Sequence, residues 1–264
     1  MLFLLESIPV PTPVAHPRQV RMVPSRPYTY YSAHMTMKEV NVEDICEKGL
    51  DYLLGDGVEK NLEKAKQYFE EAGTGGSSRA LFYLGDMYFW GDIESSEQKA
   101  VTYYKRSAKE GYSDAQHALG FAHQYGRGVK TNLSKALKLY RLAAEQGHAE
   151  AQNRLGNAYR FGEGVTKDKD EAFKWYRYSA ENGDSHGQVN FGACYLKGNG
   201  VELDINKANY WWRLAAEQGY RQAQLNLGYS YKLGEGVEKN QDTAMKWFRL
   251  AAQQGHEDAK RYFH

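Results

Sequence analysis

Ala151, Leu155 and Tyr159 stand at four-residue steps, a spacing that gathers them into one apolar stripe along a helix. The stripe recurs, with Tyr52, Tyr88, Tyr195 and Tyr231 in the place of Tyr159. A second helical pattern follows each stripe. It carries an alanine (Ala65, Ala100, Ala136, Ala172, Ala208, Ala244), then a bulky pair such as Tyr103-Tyr104, Trp175-Tyr176 or Trp211-Trp212, then small residues such as Ala143-Ala144. Large side chains set against small ones predict two antiparallel helices that interlock. Asn61, Ser96, Asn132, Asp168, Asp204 and Asn240 each stand four residues before the alanine. Their side chains accept hydrogen bonds from the open amides of a helix start. Gly111, Gly147, Gly183, Gly219 and Gly255 mark the helix ends, where glycine closes a helix readily.

Six glycines set the register: Gly49, Gly85, Gly120, Gly156, Gly192 and Gly228 are separated by 36, 35, 36, 36 and 36 residues. A fixed period of this length predicts stacked helix-turn-helix units, a solenoid whose length measures the extent of a surface. Glycine within a helix costs about 1 kcal/mol relative to alanine, so its recurrence predicts a neighbour too close for a Cβ. The stretch between the helices reads Gly-x-Gly-Val, as in Gly126-Arg127-Gly128-Val129 and Gly234-Glu235-Gly236-Val237. It follows a helix, repeats, and lacks the third glycine of a dinucleotide fingerprint, so it reads as a turn. The units run about 44–79, 80–114, 115–150, 151–186, 187–222 and 223–258, with a C-terminal cap at 259–264. Asp44 and Lys48 replace the expected alanine and leucine and read as a polar end cap. The loop Gly91-Asp92-Ile93 is one residue short, a place for specialisation or for local repair of a deletion, and Gly187 in place of alanine is expected to loosen its joint slightly.

All six prolines precede residue 28. Residues 1–37 therefore read as an extended or disordered, mildly basic tail, either solvated or docked on the solenoid or a partner, and 38–264 as the helical repeat domain. Lysine plus arginine (34) balance aspartate plus glutamate (33), so no overall field attracts nucleic acid or an anionic membrane. No apolar run approaches the ~20 residues of a membrane helix. The opening apolar run is too short for a signal peptide and lacks a basic flank, so a cytoplasmic, monomeric protein is expected. Cys46 and Cys194 occupy equivalent helices four units apart and read as free core thiols. The eight histidines read as surface or loop residues. No catalytic triad or metal-spaced cluster stands apart from the repeat, so no enzyme activity and no cofactor are expected.

These residues resemble the Sel-one-like repeat family, a relative of the tetratricopeptide repeat. Its pattern runs Ala, Leu-Gly, Tyr, Gly-x-Gly-Val, Lys-Ala, Trp-Tyr, Ala-Ala-Glu-Gln-Gly-His. Ala115 to His148 and Ala223 to His256 reproduce most of it. The resemblance implies an all-α, right-handed solenoid serving as an adaptor or scaffold in protein complexes. Two cysteines do not supply the pattern of the secreted, disulfide-rich members, so that subgroup's affinity for β-lactam-like ligands does not carry over.

In related helical repeats the first helices line the concave face. The positions three before, one after and four after the reference glycine are expected to project into it, with amides nearby. They give Phe82, Asp86 and Phe89, beside Trp90; His117, Phe121 and Gln124; Asn153, Asn157 and Arg160; Val189, Ala193 and Leu196; Leu225, Tyr229 and Lys232; Asn190 and Asn226 stand two before the glycine, and Lys197 lies nearby. Early units are aromatic and middle ones carry amides and arginine, which suits a peptide or partner segment apolar toward one end and polar or acidic toward the other. A carboxylate-gripping site at Asn157, Arg160 and Lys197 is one such reading. The expected function is a non-catalytic adaptor binding a protein or peptide there. The alternative is a dedicated inhibitor or regulator of one partner enzyme.

Overall fold

The computed structural model describes residues 41–263. The proline-rich segment read as a tail, and its docking, lie outside the described residues. Among those residues there are thirteen helices and no strand. Six pairs form the units: α1 (Val42–Leu54) with α2 (Leu62–Thr74), α3 (Ser78–Trp90) with α4 (Glu97–Lys109), α5 (Ser113–Tyr125) with α6 (Leu133–Glu145), α7 (Ala149–Phe161) with α8 (Lys169–Glu181), α9 (Ser185–Lys197) with α10 (Ile205–Glu217), and α11 (Arg221–Leu233) with α12 (Gln241–Gln253). A short α13 (Glu257–Lys260) closes the chain. From the second unit on, the first helices begin two residues before Ala80, Ala115, Ala151, Gly187 and Ala223.

All six second helices open on the expected cap, whose side chain accepts from a backbone amide of the first turn. Each second helix packs on its own first helix and on the first helix of the next unit, which makes one continuous stack. First helices also touch across units, α1 with α3 and α7 with α9, and no successive second helices approach as closely.

The reference glycines face aromatic rings. A methyl on Gly120 would lie 2.7 Å from the Tyr140 ring, on Gly49 2.6 Å from Phe69, on Gly156 2.5 Å from Tyr176, and on Gly192 2.6 Å from Trp212. Tyr104 and Phe248 stand over Gly85 and Gly228 in the same way. These rings are at most 4% exposed, so they have nowhere to move. The glycine is the hole and the second-helix ring is the knob.

Three further devices join unit to unit. The second glycine of each Gly-x-Gly-Val turn lies on the previous unit's second helix: a methyl on Gly128 would overlap the Glu97 carbonyl, and one on Gly200 would meet the Lys169 carbonyl at 2.7 Å. Gly57, in the first described unit, meets nothing within 4 Å among the described residues. Buried glutamines form a ladder. Gln152 donates to the Ala144 carbonyl (3.0 Å) and accepts from Asn182 (2.9 Å), and Gln116, Gln188 and Gln224 repeat the arrangement. Within their own units, Ser107 and Ser179 donate to the Ser78 and Ala149 carbonyls at 2.6 and 2.8 Å, and the third joint between units is made at Ser179. A methyl on Gly187 would overlap the Ser179 hydroxyl. That glycine therefore makes a tight joint, and the expected loosening is corrected.

The ends are closed differently. Asp44 and Lys48 are exposed on α1. At the C-terminal end of the described stack Tyr262 stacks on Phe248 at 4.0 Å and 3°. Cys46 and Cys194 are free and buried, and burial holds their thiols up at about 12 and about 11.

Helix propensity alone makes Gly120→Ala stabilising by about 1 kcal/mol, whereas overpacking against Tyr140 costs about 1–3 kcal/mol. Urea denaturation followed by circular dichroism is expected to show a net loss for Gly120→Ala, largely recovered in the double variant with Tyr140→Leu. A gain in the single variant would mean that the ring does not impose the glycine.

Candidate functional site

The first-helix face divides into an aromatic half and a cationic half. In units two and three, Phe82, Phe89 and Phe121 are half-buried rather than free. Phe82 packs against Tyr83, Tyr104 and Tyr112 at 5.4–5.9 Å, Phe89 meets Phe121 at 6.3 Å and Trp90 at 5.0 Å, and Phe121 meets Tyr125 at 4.6 Å. Only Trp90 among these four is largely open, at 48% exposure.

Three polar positions on this face satisfy buried phenols. Tyr104 donates to Asp86 (2.7 Å), Tyr140 to Gln124 (2.7 Å) and Tyr176 to Asn157 (2.8 Å). A buried hydroxyl needs such a partner. Units whose ring is Phe69 or Phe248 have no phenol to satisfy, and Trp212 donates to the Val189 carbonyl instead (3.2 Å).

His117 stacks on His148 at 4.5 Å across the joint of units three and four. His148 caps α7: its Nδ1 accepts from the Ala151 amide (3.2 Å), so the proton sits on Nε2, 3.3 Å from Asp114. The side chain of His117 is 15% exposed and its Nε2 lies 3.7 Å from Glu150. Burial, then the neighbouring His148 and Arg154, hold its pKa well below 6.5. His123 is 6% exposed in α5. The expectation of surface or loop histidines is therefore corrected for both.

Asn190 donates to Asn153 at 2.8 Å, both 8% exposed, so each amide's first partner is the other. Asn226 accepts from Gln222 (3.1 Å). Tyr229 packs edge-on to Phe248 at 5.3 Å. Lys232 donates to the Tyr262 hydroxyl (3.3 Å) and lies 4.7 Å from that ring's centre.

Arg160 and Lys197 meet in a cleft of about 240 Å³ between α7, α8 and α9, bordered also by Phe161, Lys167, Lys169 and Asn190. Among the described residues none of its four cations forms an ion pair. Burial, then Arg160, lower the Lys197 pKa. Arg160 lies 4.8 Å from the centre of the Phe161 ring.

One row escaped the sequence reading except at Trp90 and Lys197. The last residues of the six first helices are Leu54, Trp90, Tyr125, Phe161, Lys197 and Leu233. Leu54, Trp90, Phe161 and Leu233 are 44%, 48%, 48% and 57% exposed. The signal was present five residues after each reference glycine, where large apolar side chains recur immediately before a capping glycine. Among the described residues no group of three or more His, Cys, Asp or Glu converges as a metal site, and no helix is long and apolar enough to cross a membrane.

A histidine whose folded pKa is depressed takes up its proton more readily in the unfolded chain, so stability is complete above the unfolded value near 6.5 and falls as pH drops below it. Glu150 is 63% exposed and offers the protonated ring little compensation. The urea midpoint is expected to fall from pH 7 to pH 5, and His117→Phe, which keeps the ring stack, to show a smaller fall. Identical falls would remove His117 from the effect.

The Sel1 repeat model matches residues 49–77, 78–112, 113–148, 149–184, 185–220 and 221–256. No curated protein matches the chain. A solved Sel1 repeat protein from Oxalobacter formigenes is 35% identical with a TM-score of 0.73, over 82% of this chain and 87% of that one. A protective antigen present in uropathogenic Escherichia coli strains, displaying an SLR fold, is 34% identical with a TM-score of 0.73. The likeness covers 83% of this chain, which spans 47% of the antigen's length. An immunity protein from Pseudomonas aeruginosa, 18% identical with a TM-score of 0.54 over 83% of this chain and 84% of its own, shares the fold. With six matched units and the helix-pair geometry that they require, the chain belongs to the Sel1 repeat family.

Proposed function

We propose that this chain is a non-catalytic interaction scaffold that holds a protein segment along the inner, first-helix face. Sel1 repeat proteins generally mediate protein-protein interaction, and the finer reading rests on the row at the first-helix ends. Those side chains are apolar in five of six units and largely open in four, although a helix can end on any polar residue at no cost. Repetition of exposed apolar groups along one edge is the mark of a surface that is covered part of the time. The self-packed cluster of Phe82, Phe89 and Phe121 serves this reading as a rigid base, with Trp90 and Phe161 as the side chains available for insertion into a partner.

The row makes a positional test possible before the partner is identified. A photo-crosslinking amino acid placed at residue 90 or 161 is expected to form a discrete protein adduct in cells, and one at the exposed Lys138 of α6 to form none. Trp90→Ala with Phe161→Ala is expected to abolish the adduct at a third inner-face site, residue 233, and to move the urea stability by no more than about 1 kcal/mol. Adducts only from residue 138, or adducts at 233 that survive the double variant, would contradict the inner-face assignment.

A further inference from the structure

The cleft between α7 and α9 differs from the rest of the molecule in its charge. The chain as a whole is balanced, 34 basic against 33 acidic residues, and most of its ion pairs are local, such as Lys174 with Glu171 and Lys207 with Asp204. At the cleft the pairing stops. Arg160, Lys167, Lys169 and Lys197 border it and no carboxylate does. Glu163, in the turn that follows α7, makes no ion pair with Arg160 among the described residues. Burial, then the neighbouring Arg160 charge, lower the Lys197 pKa, and both side chains border the one cleft. Two like charges held together without a counter-ion are a cost that a bound anion removes.

The floor of the cleft defines the anion further. Ala172, Ala193 and the neutral thiol of Cys194 are apolar, and the Phe161 ring stands at the edge. Tyr176 and Asn190 add polar groups beside them. About 240 Å³ accommodates one or two residues of a peptide, and an apolar floor under two cations fits a carboxylate that carries an aliphatic chain. A phosphate has no apolar part to place there. Phe161 also belongs to the exposed row, so a segment lying along that row passes the cleft where Lys197 interrupts the apolar sequence.

We propose that the Arg160–Lys197 cleft binds a carboxylate of the partner segment, either the chain terminus or an Asp or Glu side chain, with the adjoining aliphatic group on Ala172, Ala193 and Phe161. This rests on the scaffold reading above and gives the partner's chemistry at one point of the face: acidic beside the fifth unit, apolar toward the second. The guanidinium supplies the directional pair of hydrogen bonds and the ammonium the second charge.

The test uses the full chain and a fluorescein-labelled peptide, Gly-Ser-Gly-Ala-Asp-Glu-Leu, followed by anisotropy at about 50 mM salt, where screening is moderate. Saturable binding is expected, weakened at least tenfold by Arg160→Gln and by Lys197→Gln and unchanged by Lys138→Gln. Circular dichroism and urea midpoints confirm that each variant folds. A tenfold loss on amidating the C-terminus assigns the terminal carboxylate, and a tenfold loss on replacing Asp-Glu by Asn-Gln assigns the side chains; either supports the proposal. No binding up to millimolar peptide, wild-type affinity in both cleft variants, equal binding of an amidated Asn-Gln peptide, or tenfold tighter binding of a phosphoserine peptide or an oligothymidylate would overturn it. If the Arg160→Gln, Lys197→Gln double variant still crosslinks its partner through residue 90 with the same yield, the carboxylate site fails and the scaffold reading stands.

Discussion

The contact between a first-helix glycine and a second-helix ring organises the whole stack. Each of Gly49, Gly85, Gly120, Gly156, Gly192 and Gly228 lies beneath the ring of Phe69, Tyr104, Tyr140, Tyr176, Trp212 or Phe248 at a separation that leaves no room for a methyl. The ring fixes how deeply the two helices of a unit interlock and in what register. Because the same ring is buried, its edge has to be satisfied from the first-helix face, by Asp86, Gln124 and Asn157 for the three tyrosines and by the Val189 carbonyl for Trp212. The packing of the unit thus decides which polar groups of the first-helix face are already engaged.

Much of this was legible in the sequence. The glycine period, the six second-helix caps and the alternation of bulky and small residues gave the helix pairs, because each is a local property that repeats. The purpose of the second turn glycine was not legible: its backbone conformation could be inferred, but its close approach to the previous unit is a contact across some thirty residues. The glutamines of the ladder were visible beside Ala115, Ala151 and Ala223, yet a glutamine on an exposed helix face reads the same way. The candidate site was legible in composition and less so in detail. Phe82, Phe89 and Phe121 were found as a group, but a pattern of aromatic positions does not tell rings that meet a partner from rings that meet one another. Arg160 and Lys197 were found too. Their lack of acidic neighbours required knowing every side chain within reach.

Rigidity and selectivity come from different layers. The ladder glutamines tie each unit to the last, and the Ser107 and Ser179 hydroxyls tie the two helices of their own units, with bonds whose rupture would leave buried groups unpaired, so the spacing of the first helices is held constant. In the proposed reading, recognition falls to the few positions that the repeat leaves free, at the helix ends and around the Arg160–Lys197 cleft. Solenoids suit this division, since each unit answers structurally only to its neighbours.

The central claim is that the face presented by the first-helix ends is the one a partner covers. Hydrogen-deuterium exchange of the chain alone and with the partner recovered by crosslinking tests this most directly. New protection is predicted in the C-terminal turns of α3, α5, α7 and α9 and in the turns that follow them, with α4, α6 and α8 unchanged. Protection concentrated on the second helices would contradict the account.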